Sequence, residues 1–176
     1  MSSKSTFGDY TCFTDSTFGD SAAFFFATFG DSADFRYSTF GDSACFEEMT
    51  FTDTVDFSGT QFKEVTLDGT DFEEMRVSWN SLGNTLVFDG PTYVKLIQNF
   101  RNLEQFEDAD TAYFQYRKHC QAEKSWIPFS KGGSKWNDIM MWFICGYGVK
   151  PFRAFYLGGL IILLFSFIYR GFSTTS

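Results

Sequence analysis

Residues 16–42 read STFGDSAAFFFATFGDSADFRYSTFGD, and the spacing of their phenylalanines decides the fold. Phe18, Phe29 and Phe40 stand 11 apart, each inside a Thr-Phe-Gly-Asp block, and the same interval runs back to Phe7 and on to Phe51 and Phe62. A second series, Phe13, Phe24, Phe35, Phe46 and Phe57, keeps the same interval, each member six residues after one of the first. Steps of six and five therefore alternate, and from Phe62 the step settles to five through Leu67, Phe72, Val77 and Leu82. Two residues before each large apolar side chain stands a smaller one, as at Ser16, Ala22, Ala27, Ala33, Ser38, Ala44, Val55, Thr60, Val65 and Thr70. Positions two apart in an extended chain share a face, so small and large residues point into one interior. Thr17, Thr28, Asp34, Thr39, Asp56, Gln61 and Asp71, between them, point out. Gly-Asp pairs then mark corners. An amphipathic helix is excluded, because its apolar stripe recurs at three and four.

The composition agrees that phenylalanine is the structural unit, with 25 in 176 residues. Charge divides the chain. Residues 1–90 carry 16 acidic and 4 basic side chains, whereas 91–176 carry 6 and 10. An acidic first half with only Lys4, Arg36, Lys63 and Arg76 argues against direct nucleic-acid binding, which needs cations to displace counterions. A basic second half beside an apolar run suits a lipid headgroup surface. Cys12, Cys45, Cys120 and Cys145 are too far apart for a zinc knuckle or a redox pair and read as free thiols of a reducing compartment. The polar start enters the repeat at once, with no expected signal peptide.

These repeats closely resemble the pentapeptide-repeat family, in the variant alternating five- and six-residue units around a central Phe, over about residues 5–84. The resemblance implies an all-β, right-handed quadrilateral β-helix with four units per coil. About 22 residues then make a coil, stacking Phe7, Phe29 and Phe51 in one ladder and Phe18, Phe40 and Phe62 in another, ~4.8 Å apart. The structural core is expected to be Phe7, Phe13, Phe18, Phe24, Phe29, Phe35, Phe40, Phe46, Phe51, Phe57, Phe62, Leu67 and Phe72. Cys12 and Cys45, one and a half coils apart, fall on opposite outer faces and are expected not to form a disulfide. A coil end that a neighbouring chain could extend normally needs a cap.

After the repeat domain (1–90), Pro91 signals a helix start and Tyr93, Leu96, Ile97, Phe100 and Leu103 follow at helical spacing. A second helix is expected from near Asp108 to Glu123, with Ala112, Tyr113 and Tyr116 inward. The pair (91–125) reads as a helical hairpin capping the last coil. In the linker (126–150), Trp136, Ile139, Met140, Phe143 and Ile144 form an apolar stripe behind Lys131 and Lys135, the pattern of an interfacial helix or, alternatively, of a core helix.

Residues 151–172 are expected to form one transmembrane helix, leaving 173–176 as a tail. The apolar run Ala154–Tyr169 lies between Arg153 and Arg170, about 26 Å apart along a helix, close to the hydrocarbon thickness once both arginines snorkel. Arg153, Tyr156, Leu160, Leu164, Tyr169 and Arg170 are the candidate membrane-anchor residues. Lys131, Lys135, Lys150 and Arg153 precede the span against Arg170 after it, which predicts a single-pass protein of the cell membrane with its repeats cytoplasmic.

Gly146-Tyr147-Gly148 looks like a potassium-channel filter, but Val149 follows it and no spanning segment precedes it. AYFQYR at 112–117 and CGYGVKP at 145–151 better resemble the linker of prokaryotic proteins whose pentapeptide repeats precede a two-helix pore. That resemblance implies a span acting as a first pore helix, whereas this sequence shows neither pore loop nor second helix.

The expected function is a non-enzymatic, membrane-anchored cytoplasmic scaffold or interaction module. Its partners would be the bilayer, a protein on the β-helix surface or a second copy. Two alternatives stand beside it: part of a channel-like protein, and an acidic DNA mimic acting on a type II topoisomerase, as the family includes. No nucleophile stands beside a base, no metal-ligand spacing occurs, and no cofactor is expected. His119 reads as a surface residue, and Glu47-Glu48 and Glu73-Glu74 as exposed corners.

Overall fold

The computed structural model describes residues 4–122 and, beyond them, residues 139–140, 156, 158–159, 162–163 and 165–166. The chain divides into two compact units, Met1–Tyr116 and Arg117–Ser176. The first is a β-solenoid of about three turns followed by helices.

Eleven short strands make the solenoid: β1 (Thr6–Phe7), β2 (Thr17–Phe18), β3 (Ser21–Ala23), β4 (Thr28–Phe29), β5 (Ala33–Asp34), β6 (Thr39–Phe40), β7 (Ser43–Cys45), β8 (Thr50–Phe51), β9 (Thr54–Asp56), β10 (Val65–Thr66) and β11 (Glu74–Arg76). All pair in parallel, in four ladders ordered β1-β4-β8, β2-β6, β3-β7-β10 and β5-β9-β11. Register follows the repeat length. Thr28 pairs with Thr6 and Ala44 with Ala22, twenty-two residues back, where fives and sixes alternate. Val65 pairs with Ala44 and Met75 with Val55, twenty-one and twenty back, as the units shorten to five.

The ladders put the phenylalanines where their spacing requires. Phe7, Phe29 and Phe51 stack with ring centroids 4.4 and 5.3 Å apart, and Phe18, Phe40 and Phe62 at 4.5 and 5.2 Å. Phe13, Phe35 and Phe57 form a third stack, at 5.1 Å for each step. Neighbours within a coil meet edge to face, as Phe35 and Phe46 do, the offset that aromatic quadrupoles prefer. Phe29, Phe35, Phe46, Ala44 and Val55 are fully buried. At three of the polar small positions the buried hydroxyl is satisfied: Ser38 donates to the Phe13 carbonyl and Thr60 to that of Phe35, each at 2.7 Å, and Thr70 to that of Phe46.

Corners are of two kinds. At Gly-Asp corners the coils approach so closely that a Cβ on Gly41 would lie 2.6 Å from the Asp20 Cα. At the others a residue with left-handed backbone stands two places after the large inward side chain: Asp15, Tyr37 and Gly59 in one column, Phe26, Glu48 and Gly69 in another; Tyr10 and Ser32, after Gly8-Asp9 and Gly30-Asp31, share that backbone. Glycine enters the first column where the Tyr37 ring covers the site, 2.6 Å from a would-be Cβ on Gly59.

After Val77 the expected five-residue unit ending in Leu82 is not a further strand. It is a short helix, α1 (Trp79–Leu82), because the Ser78 hydroxyl accepts the Asn80 N–H as an N-cap and turns the chain. Trp79 and Leu82 keep their inward places on it. Helix α2 (Gly90–Asn102) starts at the Asp89 cap with Pro91 in its first turn, and α3 (Phe106–Ala122) begins two residues before the expected Asp108. Tyr93, Leu96, Ile97, Phe100 and Ala112 are buried as the spacing requires, and Tyr113 and Tyr116 partly so.

Helix α2 closes the last coil by imitating the one that would follow. Thr92 donates to the Leu67 carbonyl at 3.2 Å, twenty-five residues back, the offset by which Thr60 reaches Phe35. Lys95 reaches the Thr70 carbonyl and the Asp71 carboxylate, with its ammonium 4.4 Å from the Phe72 ring centroid. The Asn99 amide pairs with both backbone groups of Met75, accepting its N–H at 3.0 Å and donating to its carbonyl at 2.7 Å, as a peptide unit of a neighbouring strand would. The Asp108 carboxylate takes the Trp79 N–H at 3.1 Å.

The expected interfacial helix lies outside the described residues except for Ile139 and Met140, which are helical, and the expected span except for Tyr156, Gly158, Gly159, Ile162, Leu163, Phe165 and Ser166, also helical. Arg153, Leu160, Leu164, Tyr169 and Arg170 lie outside them. Among the described residues no helix is long and apolar enough to cross a membrane.

Candidate functional site

The expected core residues are brought together, though not equally enclosed. Phe29, Phe35, Phe40, Phe46, Phe51, Phe57, Leu67 and Phe72 are buried, while Phe7, Phe13, Phe18, Phe24 and Phe62 are only partly so. Four of those five belong to the first coil, where each ring has a neighbour on one side only. The spacing concealed Met49 and Met75, which occupy small-residue positions and are fully buried. An unbranched thioether bends to fill the space that Ala or Val fills elsewhere.

Two surfaces carry the solenoid's chemistry. The first is the side face built on β5, β9 and β11, where Arg36 lies 2.6 Å from Asp34 and 4.0 Å from Asp56, and Arg76 lies 2.7 Å from Glu74. Charges of opposite sign thus alternate up the face. The Arg36 guanidinium, hydrogen-bonded to Asp34, holds that carboxyl below its ordinary range, and Glu74 likewise raises Arg76. A shallow groove of about 250 Å³ runs between Ser32, Thr54, Asp56 and Arg76. Its arginines are paired with neighbouring carboxylates, and these exposed pairs contribute little to stability. A second hollow, about 330 Å³, lies where Ser58 and Ser78 meet Leu103 and Gln105.

Cys12 sits at the first-coil edge of the same face, exposed, its thiol acidified by the Thr14 hydroxyl 3.2 Å away. Cys45 stands on the β3-β7-β10 ladder, its thiol pushed up by partial burial. Both are free and lie on different faces, as their spacing requires. His119 is exposed, and so is Glu48 at a corner. Glu74, expected at a corner, is instead a β11 residue paired with Arg76, because the shortened unit moves it into the strand. Among the described residues no cluster of His, Cys, Asp or Glu could hold a metal ion.

The second surface is the N-terminal end. Among the described residues, strands β1, β2 and β3 are the outermost of their ladders, and Cys12 pairs with Asp34 of the second coil and with no residue on its other side. The Ser5 and Phe7 carbonyls accept the Thr28 and Gly30 N–H groups, and the Thr11 carbonyl that of Asp34. Thr6 and Cys12, between these groups, therefore turn their own N–H and C=O away from the second coil. Half-buried Phe rings lie beneath that edge, and Asp9, Asp15 and Asp20 stand exposed around it with Lys4. No single sequence motif marks this end.

A stack of short parallel coils with ladders of stacked rings inside and a helical lid defines a β-solenoid repeat protein. Residues 35–78 match the family model described as pentapeptide repeats (9 copies). Comparison with curated proteins and with solved structures gave no match.

Proposed function

We propose that the chain is a non-enzymatic interaction module, an acidic solenoid held at a membrane by the apolar run Ala154–Tyr169. The observation that carries the module reading is the ordered polar exterior. The described side faces are ladders of short side chains on a core of stacked rings, and the cations on them, Arg36, Lys63 and Arg76, are each paired with a carboxylate, Asp34, Asp42 and Glu74. Such a surface presents contacts at the fixed ~4.8 Å repeat of the coils. Pentapeptide repeats typically serve as structural or interaction elements. The four ladders and the five-and-six alternation support a right-handed, quadrilateral coil.

Anchoring and a cytoplasmic position rest on the sequence, through the length of the apolar run and the cations before it. Flotation of the full chain with liposomes, followed by alkaline carbonate extraction, tests them. The chain is expected to float and to resist extraction, and deletion of residues 151–172 to release it. A full chain that stays in the soluble fraction overturns the anchor. The likeness of residues 112–117 and 145–151 to a channel linker favours a second reading, part of a channel-like assembly. Ion-selective current from the full chain in planar bilayers would establish that reading. Inhibition of supercoiling by a type II topoisomerase would instead bring forward DNA mimicry, for which the acidic first half is the support.

A further inference from the structure

Resting on the reading as an interaction module, we infer that the N-terminal edge of the solenoid docks an extended, lysine- or arginine-bearing segment of a partner protein. Three observations converge there. The backbone groups of Thr6 and Cys12 face away from the second coil, so the edge offers N–H donors and C=O acceptors in strand geometry. Below it the rings of Phe7, Phe13, Phe18 and Phe24 are half-buried, whereas Phe29, Phe35, Phe40 and Phe46, one coil on, are 0%, 0%, 1% and 0% exposed. An added strand with apolar residues at alternate positions completes that burial. Charge chooses the occupant. Asp9, Asp15 and Asp20 ring the edge, where Lys4 is the one cation of the first coil, and of the three only Asp9 is seen to spend a carboxylate oxygen on the backbone, accepting the Asp31 N–H. A second copy docked end to end would set two such acidic rims against each other, whereas a cationic strand meets them with opposite charge. The other end needs no such guest, because Thr92, Lys95 and Asn99 occupy its carbonyls and Met75.

The test uses the full chain and three synthetic octapeptides: Lys alternating with Val, Glu alternating with Val, and the Lys peptide with two central prolines. Fluorescence anisotropy should show binding of the first alone, weakened about 10-fold between about 50 and 300 mM salt. The double variant Asp15→Asn, Asp20→Asn should weaken it by a similar factor, and Thr6→Pro, which removes an outward N–H without touching the ladder, should also weaken it. Equal binding of the Glu peptide would reduce the edge to sticky rings, and equal binding of the proline peptide to bare charge; either overturns the inference. Self-association that grows with concentration and survives the Asp variants overturns it in favour of a second copy. A protein partner lost on mutating Arg36 and Arg76 but kept by the first-coil variants would overturn this inference while leaving the module reading intact.

Discussion

The first and last coils of the solenoid face the same difficulty, an edge of unpaired peptide groups above a layer of apolar side chains, and the molecule treats them differently. At the last coil, α2 supplies a hydroxyl, an ammonium and an amide in the places where a further coil would have put its own groups. At the first coil, nothing among the described residues covers Phe7, Phe13 or Phe18, and carboxylates stand around them. The difference teaches that a solenoid stops by substitution and not by exhaustion of its repeat: a helix with three correctly spaced polar residues ends it, whereas acidic corners merely discourage like ends from meeting.

The largest expected effects separate interior from end. Phe40→Ala should destabilise the solenoid by about 3–5 kcal/mol, since the ring is enclosed by Phe18, Phe62 and Phe46. Phe18→Ala, half-buried in the first coil, should cost about half as much in the same urea titration. Equal losses would mean that the first coil is as enclosed as the second. Next comes Asn99→Leu, which keeps the apolar face of α2 but strands the Met75 N–H and carbonyl in a buried site; about 2–4 kcal/mol is expected. A loss below about 0.5 kcal/mol would show that the amide does not act as a strand surrogate. A finer comparison sets Thr60→Val against Thr92→Val. Each removes one hydroxyl bond to a carbonyl twenty-five residues earlier, so about 1 kcal/mol is expected of both, and a wide disparity would break the equivalence between helix and coil.

The strands and the ring ladders were legible because they follow from the intervals once the family resemblance implies four units per coil. Phe29 above Phe7 needs nothing but twenty-two residues per coil. The end of the solenoid was not. Leu82 continues the five-residue interval as well as a strand residue would, and only the reach of the Ser78 hydroxyl to Asn80 selects a helix. Thr92, Lys95 and Asn99 look like ordinary polar interruptions of an amphipathic stripe. Their purpose is set by Leu67, Thr70 and Met75, some twenty-five residues away, and no local pattern records it. The left-handed corners were concealed for a related reason. Asp15, Tyr37 and Glu48 adopt that backbone without being glycine, so the sequence signals the conformation only where Gly59 and Gly69 must also clear a side chain from the coil before. Of the candidate surfaces, the acidic excess was visible in the composition, but the side face needed the register that sets Arg36, already beside Asp34 on its own coil, near Asp56 of the next.

The smallest effect expected concerns pH and the closed end. Hydrogen bonding to Lys95 lowers the Asp71 carboxyl from its ordinary value of 3.8, so the folded state holds the ionised form more firmly than the unfolded chain does. The stabilisation from this pair is therefore fully present above that value and is lost as pH falls below it through the folded-state value. The Asp71 side chain is 75% exposed, so solvent screens the pair and its contribution is modest. Asp71→Asn should leave the protein slightly less stable than the parent at neutral pH, with the two urea midpoints converging as the solution is acidified below 3.8. The Lys95 bond to the Thr70 carbonyl does not involve the Asp71 carboxylate, so α2 should stay docked throughout. If the midpoints diverged on acidification, or the variant released α2 at neutral pH, the ion pair and not the backbone mimicry of Thr92 and Asn99 would be what closes the last coil.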